Sequence, residues 1–126
     1  MNKENYSCIC IDDDRLFMEI IKGVIRQIDY LDLQECYGNP MHALVEVDRN
    51  KPDIIFIDID LPEINGFQFV EALDYSPVVI YVTSHWEQEE EALTKGADGF
   101  ITKPLKSVEQ LSDVLFNAIN NKLSIS

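Results

Sequence analysis

The stretch Asp53–Pro62, DIIFIDIDLP, decides how the chain is read. Ile54, Ile55, Phe56 and Ile57 make a continuous apolar run, as expected of a strand covered on both faces. The run ends on Asp58, and a second acid, Asp60, follows two residues later. A strand leaving the core, with its polar residues already in water, would account for these acids. So would a carboxylate delivered to a strand tip for chemistry. The surrounding sequence separates the two.

Upstream, YSCICI (6–11) reads as another buried strand, and it also runs into acids, Asp12, Asp13 and Asp14. Leu16, Ile20, Ile21, Val24, Ile25 and Ile28 then recur at helical spacing, with Asp14 placed as the N-cap. LDLQECY (31–37) alternates like a strand near a sheet edge. Gly38 and Asn39 turn the chain, and Pro40 opens a helix reaching about Asn50. Downstream, LPEING is a loop and FQFVEAL a short helix. PVVIYVTS (77–84) is a strand rich in β-branched residues. EQEEEALTKG (87–96) is predicted to be a helix closed by Gly96, its acids a solvated face. GFIT (99–102) is a short fifth strand. SVEQLSDVLFNAINNKL (107–123) is an amphipathic helix with Val108, Leu111, Val114, Leu115 and Ile119 on one face.

This alternation predicts an α/β fold, a doubly wound parallel sheet with helices on both faces and right-handed crossovers. In such sheets ligands bind beyond the carboxyl ends of the strands. The 126 residues suit one domain spanning 1–126, with 1–5 and 123–126 expected as frayed ends. The net charge of −13 opposes a phosphate backbone, so direct nucleic-acid binding is not expected; a divalent cation or a basic partner surface suits it better. No apolar run is long enough to span a membrane, and MNKENYSCIC lacks the layout of a signal peptide, so a cytoplasmic location is expected. Cys8, Cys10 and Cys36 show no zinc-type spacing and are expected as buried free thiols.

At the carboxyl ends of the strands stand Asp12, Asp13 and Asp14, then Asp58, then Thr83 and Ser84, then Lys103-Pro104. Clustered carboxylates repel one another and lose hydration, so they persist best around a cation. Oxygen-only ligands suit Mg²⁺. A carboxylate beside Mg²⁺ can attack phosphorus, while a hydroxyl and a lysine hold the other phosphoryl oxygens. Asp58 is therefore read as a phosphoryl acceptor. Asp14, as a cap, is left out of the metal set.

CICIDDD, DIIFIDIDLPEINGF, VIYVTS and GADGFITKP occur in this order along the chain, which as a whole resembles the receiver domain of two-component response regulators. The DIxLPEINGF and VTS segments are most similar to receivers joined to LytTR-type DNA-binding domains. The resemblance implies a flavodoxin-like (βα)5 sheet of order 2-1-3-4-5. It implies Mg²⁺ held by Asp13 and Asp58 directly, by Asp12 largely through water, and by the backbone carbonyl of Asp60. Asp58 would take a phosphoryl group from a histidine kinase or phosphotransfer protein, with Thr83 and Lys103 contacting that group. The Lys103–Pro104 bond would be cis, and Gly66 would permit a tight turn after the acceptor. Phe100 would be the switch aromatic, following Thr83 inward and changing the face of the fourth helix, fifth strand and fifth helix. Such a domain promotes only its own phosphorylation and dephosphorylation and is no enzyme in the usual sense. Its partners would be the kinase, a second copy of the chain through the switch face, and an output domain, DNA-binding or otherwise, elsewhere or on a separate effector.

Several positions stand apart from the usual pattern. Asp60 is acidic where many receivers are neutral, and Ser84 stands where Ala is common. His85 reads as a solvated loop residue or a screen over the site, Trp86 as loop packing in preference to an exposed partner anchor, and His42 as an exposed helix residue without a role. Two further readings compete. FIDIDLP also resembles the DxD motif of haloacid-dehalogenase-type phosphatases, with Asp58 the nucleophile and Asp60 the acid/base. Pro62, however, departs from that pattern, and only Glu109 and Asp113 supply acids after Lys103. The other is a receiver used only for docking, independent of phosphorylation.

Overall fold

The apolar run after Asp53 becomes the middle strand of the sheet. The computed structural model describes residues 5–124. Its strands are β1 (Tyr6–Ile11), β2 (Leu31–Tyr37), β3 (Ile54–Asp58), β4 (Val78–Thr83) and β5 (Gly99–Thr102). They pair in parallel in the order β2-β1-β3-β4-β5, as the sequence led one to expect. The helices are α1 (Arg15–Ile25), α2 (Pro40–Asn50), α3 (Gly66–Glu71), α4 (Glu89–Thr94) and α5 (Val108–Ser124).

Every residue of β3 and β4 is buried because apolar layers lie on both sides of them. Alternate residues serve alternate layers. Cys8, Cys10, Ile54, Phe56, Val78, Ile80 and Val82 pack with Phe17, Ile21 and Ile25 of α1 and Leu111, Leu115 and Ala118 of α5. Ile9, Ile11, Ile55, Ile57, Val79 and Tyr81 pack with Ala43 and Val47 of α2, Phe67 and Phe69 of α3 and Ala92 of α4. The same parity and register position the acids. Cys10 lies opposite Phe56 and Ile11 opposite Ile57, so the next step brings Asp12 level with Asp58.

Of the periodic set on α1, Ile21 and Ile25 lie on the buried stripe with Phe17, whereas Leu16 and Ile20 are exposed. Those two sit one position off that stripe, about 100° around the helix, and Leu16 is 72% exposed. On the edge strand β2, Cys36 faces Cys10 but is only half-buried, which corrects the expectation of three buried thiols. The Cys36 thiol is lowered chiefly by its hydrogen bond with Cys10.

Caps appear where short polar residues precede helices. The Asp14 side chain accepts from the Phe17 N–H, and Asn39 accepts from Met41 and His42 ahead of a helix opened by Pro40. Asn65 and Gln68 form a reciprocal capping box. His42 is exposed. Asp98 accepts from the Val79 N–H at 2.9 Å and pairs with Lys122 at 3.2 Å, tying α5 to the start of β5.

The helix predicted over 87–96 is shorter than expected. The chain makes a 3₁₀ turn at Trp86–Gln88, and α4 covers only Glu89–Thr94 before Gly96 turns it at φ +88°. Gln88 stands at the N-cap but makes no side-chain cap bond; its carboxamide is turned inward. At the termini, the backbone of α5 is helical through Ser124 and Asn5 lies outside regular structure. The expectation of frayed ends falls largely on residues 1–4 and 125–126, which lie outside the described residues. Among the described residues, no helix is long and apolar enough to cross a membrane.

Gly66 shows how closely the β3–α3 loop wraps the end of β3. Its N–H donates to Ile59 O at 2.8 Å. A Cβ there would lie 2.5 Å from Asp58 O and 3.0 Å from Ile59 Cα, both fixed backbone atoms. Gly66→Ala is expected to cost about 1–3 kcal/mol, read as a lower urea midpoint with an unchanged slope; an unchanged midpoint would mean that the loop yields freely.

Candidate functional site

The carboxyl edge of β1, β3, β4 and β5 gathers the polar residues that the sequence singled out. Asp12 is 1% exposed, Asp58 7% and Thr83 0%; they are the buried polar side chains among the described residues. Oxygens of Asp12, Asp13 and Asp58 all lie within 4.8 Å of one another. Asp14 stays outside that group, as expected of a cap.

Lys103 is held in place by its neighbours. Its N–H donates to Thr83 O at 2.8 Å, and the Lys103–Pro104 peptide is cis. The ammonium lies 2.8 Å from Asp12 Oδ2, 3.6 Å from Asp58 Oδ2 and 3.7 Å from Asp14 Oδ2. It also sits 4.6 Å from the centre of the Phe17 ring, a cation–π contact that holds the head group over an apolar surface.

One ammonium does not satisfy these acids. Burial, then the charge of Asp12, pushes Asp58 up to about 6 despite Lys103. Burial also raises Asp12, against the lowering effect of Lys103 and the Asp14 N–H. Burial works to lower Lys103, yet the hydrogen bond and charge of Asp12, with Asp58 and Asp14 behind it, raise it. Asp12 Oδ1 accepts from the Asp14 N–H at 2.9 Å, and Asp58 Oδ1 from the Asp60 N–H at 3.2 Å. Asp12 Oδ2 is buried, with the Lys103 ammonium as its close partner at 2.8 Å. A cluster of oxygen donors with surplus negative charge fits a hard divalent cation.

On the far side, Thr83 is tied into its own loop. Its hydroxyl donates to Gln88 Oε1 at 2.7 Å and accepts from the His85 N–H at 3.2 Å. Gln88 Nε2 donates to Asp60 Oδ1 at 3.2 Å. His85 Nε2 lies 3.6 Å from Asp60 Oδ2, and its Nδ1 3.4 Å from Glu87 Oε1. The Asp60 carboxylate is thus exposed and engaged with the β4–α4 loop. Phe100 is half-buried against the core layer of α2, α3 and α4.

Trp86 is 73% exposed, so it does not pack the loop as expected; Gln88, two residues on, is the residue turned inward. A groove of about 170 Å³ beside Lys103, lined by Leu16, Ile20, Pro104 and Leu105 among others, opens the site toward α1. Sequence reasoning missed Gln88 and Phe17. Gln88 was hidden in a run of acids, its neutrality among Glu87, Glu89, Glu90 and Glu91 being the one signal. Phe17 belongs to the apolar stripe of α1, and nothing in the sequence marks it as a seat for Lys103.

Comparison with known proteins agrees with this geometry. Residues 8–115 match the profile of the response regulator receiver domain. Over 114 residues the chain is 34% identical to the positive alginate biosynthesis regulatory protein of Pseudomonas aeruginosa, covering 87% of this chain and 46% of that protein. It is 33% identical over 105 residues to the chemotaxis protein CheY of Listeria monocytogenes, covering 79% of this chain and 87% of that one. The crystal structure of the CheX–CheY–BeF3–Mg complex from Borrelia burgdorferi superposes with a TM-score of 0.79 at 17% identity, over 90% of this chain and 89% of that one, a likeness of fold. The chain spans about half the length of several curated regulators that it matches. With its fold, its acidic edge and its sequence in agreement, the chain belongs to the response regulator receiver domain family.

Proposed function

We propose that Asp58 accepts a phosphoryl group from a phosphohistidine, on a histidine kinase or phosphotransfer protein, and that Thr83, Lys103 and Phe100 convert its arrival into a change of surface. The observation that carries this reading is the buried pair Asp12 and Asp58 sharing the single ammonium of Lys103. In the transfer, the donor N–P bond breaks with its electron pair left on the imidazole, and an Asp58 O–P bond forms. Lys103 neutralises charge on the phosphoryl oxygens, and the Thr83 hydroxyl donates to one of them. Asp12, Asp13, Asp58 and the Asp60 carbonyl would hold Mg²⁺, which when bound supplies the positive charge that keeps Asp58 ionised and shields the incoming phosphoryl group.

As Thr83 turns toward the phosphoryl group, Phe100 follows into the space left. The face of α4, β5 and α5 then changes, and the covalent group shifts the populations of two arrangements. The domain acts once on itself and turns over no external substrate. The engagement of the Asp60 carboxylate by Gln88 and His85 weighs against an acid/base role for it in a phosphatase, and the buried acid–lysine set weighs against a docking-only module. The regulators that the chain matches extend well beyond it, which suits a single receiver over 1–126 serving a cytoplasmic two-component regulator. An output module, of LytTR type or another, would act downstream, and the switch face would serve partners or a second copy.

Two predictions follow from the charge state of Asp58. Without divalent metal, folded Asp58 keeps its proton up to about pH 6, whereas an unfolded Asp releases it near pH ~4. Between these values the folded state binds more protons, so this group makes stability fall as pH rises. Urea unfolding in chelator should show Asp58→Asn more stable than wild type by about 1–2 kcal/mol at neutral pH, with the gap nearly closed at about pH 4. A gap independent of pH would contradict the charge argument. Second, intact-mass spectrometry after incubation with acetyl phosphate should show one phosphoryl adduct that needs Mg²⁺, is absent in Asp58→Asn and is greatly reduced in Lys103→Ala. Rapid donor turnover without an adduct would instead favour a phosphatase.

A further inference from the structure

We propose that Gln88 is a positioning residue, whose carboxamide latches Thr83 in the resting state and must be released before Thr83 can reach a phosphoryl group on Asp58. The proposal rests on the reading of Asp58 and Thr83 given above and adds to it a residue outside the acidic cluster.

The geometry is specific. Thr83 has one hydroxyl proton, and Gln88 Oε1 holds it at 2.7 Å, the shortest polar contact of the β4–α4 loop among the described residues. The lone pairs are approached by the His85 N–H at 3.2 Å. A hydroxyl donates once, so Thr83 cannot serve Gln88 and a phosphoryl oxygen together. The other end of the carboxamide donates to Asp60 Oδ1 at 3.2 Å, and the Asp60 N–H donates to Asp58 Oδ1. Gln88 therefore bridges the strand end that carries Thr83 and the loop that leaves the acceptor.

The local fold shows what this arrangement displaces. Gln88 occupies the N-cap of α4, where a side chain could serve the free N–H groups of the first turn, yet it makes no such bond. α4 has six residues and is preceded by a 3₁₀ turn, and helices this short draw little stability from their own hydrogen bonds. The latch thus fixes a segment with little rigidity of its own. Once Thr83 is withdrawn, the turn carrying Trp86 and the start of α4 lose their tie to β4.

The test is a double-mutant cycle on the rate of Asp58 phosphorylation by acetyl phosphate with Mg²⁺, followed by intact mass. It compares wild type, Gln88→Leu, Thr83→Ala and the double variant. If Gln88 acts through Thr83, Gln88→Leu alone speeds phosphorylation roughly two- to tenfold, the worth of one hydrogen bond no longer broken on the way. In the Thr83→Ala background the same change then has no effect. Gln88→Glu, which keeps an oxygen for the hydroxyl, loses the acceleration seen in Gln88→Leu. Equal effects of Gln88→Leu in both backgrounds, or a slower reaction in Gln88→Leu, would overturn the latch while leaving the receiver reading intact. Wild type that takes no Mg²⁺-dependent adduct would overturn that reading, and the latch with it.

Discussion

The rest of the site depends on an unbalanced charge. Parallel strands in register bring Asp12 level with Asp58 at the same edge, and α1 seals the layer beneath them. The acids are buried, and among the described residues the ammonium of Lys103 is divided between them. A pair of carboxylates in this setting costs folding free energy unless positive charge arrives. The fold tolerates this because it is stable elsewhere. β3 and β4 are sealed on both faces, and two apolar layers surround them. The site is strained electrostatically where the core is strong.

That division explains which features were legible in the sequence. The parallel sheet with helices on both faces follows from the alternation of apolar strands and helices. The gathering of Asp12, Asp13, Asp58, Thr83 and Lys103 follows from polar residues at strand ends, and the strand order from the resemblance carried by motifs in a fixed order. These are regular, and regularity is what a sequence carries. The features that escaped depend on a choice between near-equivalent orientations. Leu16 and Ile20 share the helical periodicity of Phe17 and Ile21, and only packing against the sheet decides which pair is buried. Trp86 and Gln88 stand two apart in a turn, and a 3₁₀ rather than an α winding puts the amide inside and the indole outside. Cys36 looks like a core thiol, but its strand lies at the sheet edge, where cover is incomplete.

The two halves of the site differ in kind. The acid side is rigid: Asp12 and Asp58 belong to the ends of central strands, and Lys103 is fixed through its backbone to Thr83 O and through its side chain to Phe17. The hydroxyl side is built from a loop, a 3₁₀ turn and a six-residue helix. Chemistry that needs fixed distances would take place on the first, and a change of shape would start on the second. Thr83 belongs to both, since its backbone ends β4 and its side chain is held by the loop.

A phosphoryl group on Asp58 would add negative charge where negative charge is already in excess. Among the described residues, the ion pairs of both Asp12 and Asp58 lead to the same Lys103. The chain as a whole has 10 basic against 23 acidic side chains, so basic groups are scarce. Neutral donors would then do part of the work, and the Thr83 hydroxyl, at the end of the neighbouring strand, is one such donor. Its withdrawal from Gln88 exchanges a neutral hydrogen bond for a charge-assisted one, which is stronger. The gain can drive the loss of order at the start of α4. In a chain with few basic side chains, the signal would travel by reassigning a proton donor rather than by moving a second lysine or arginine.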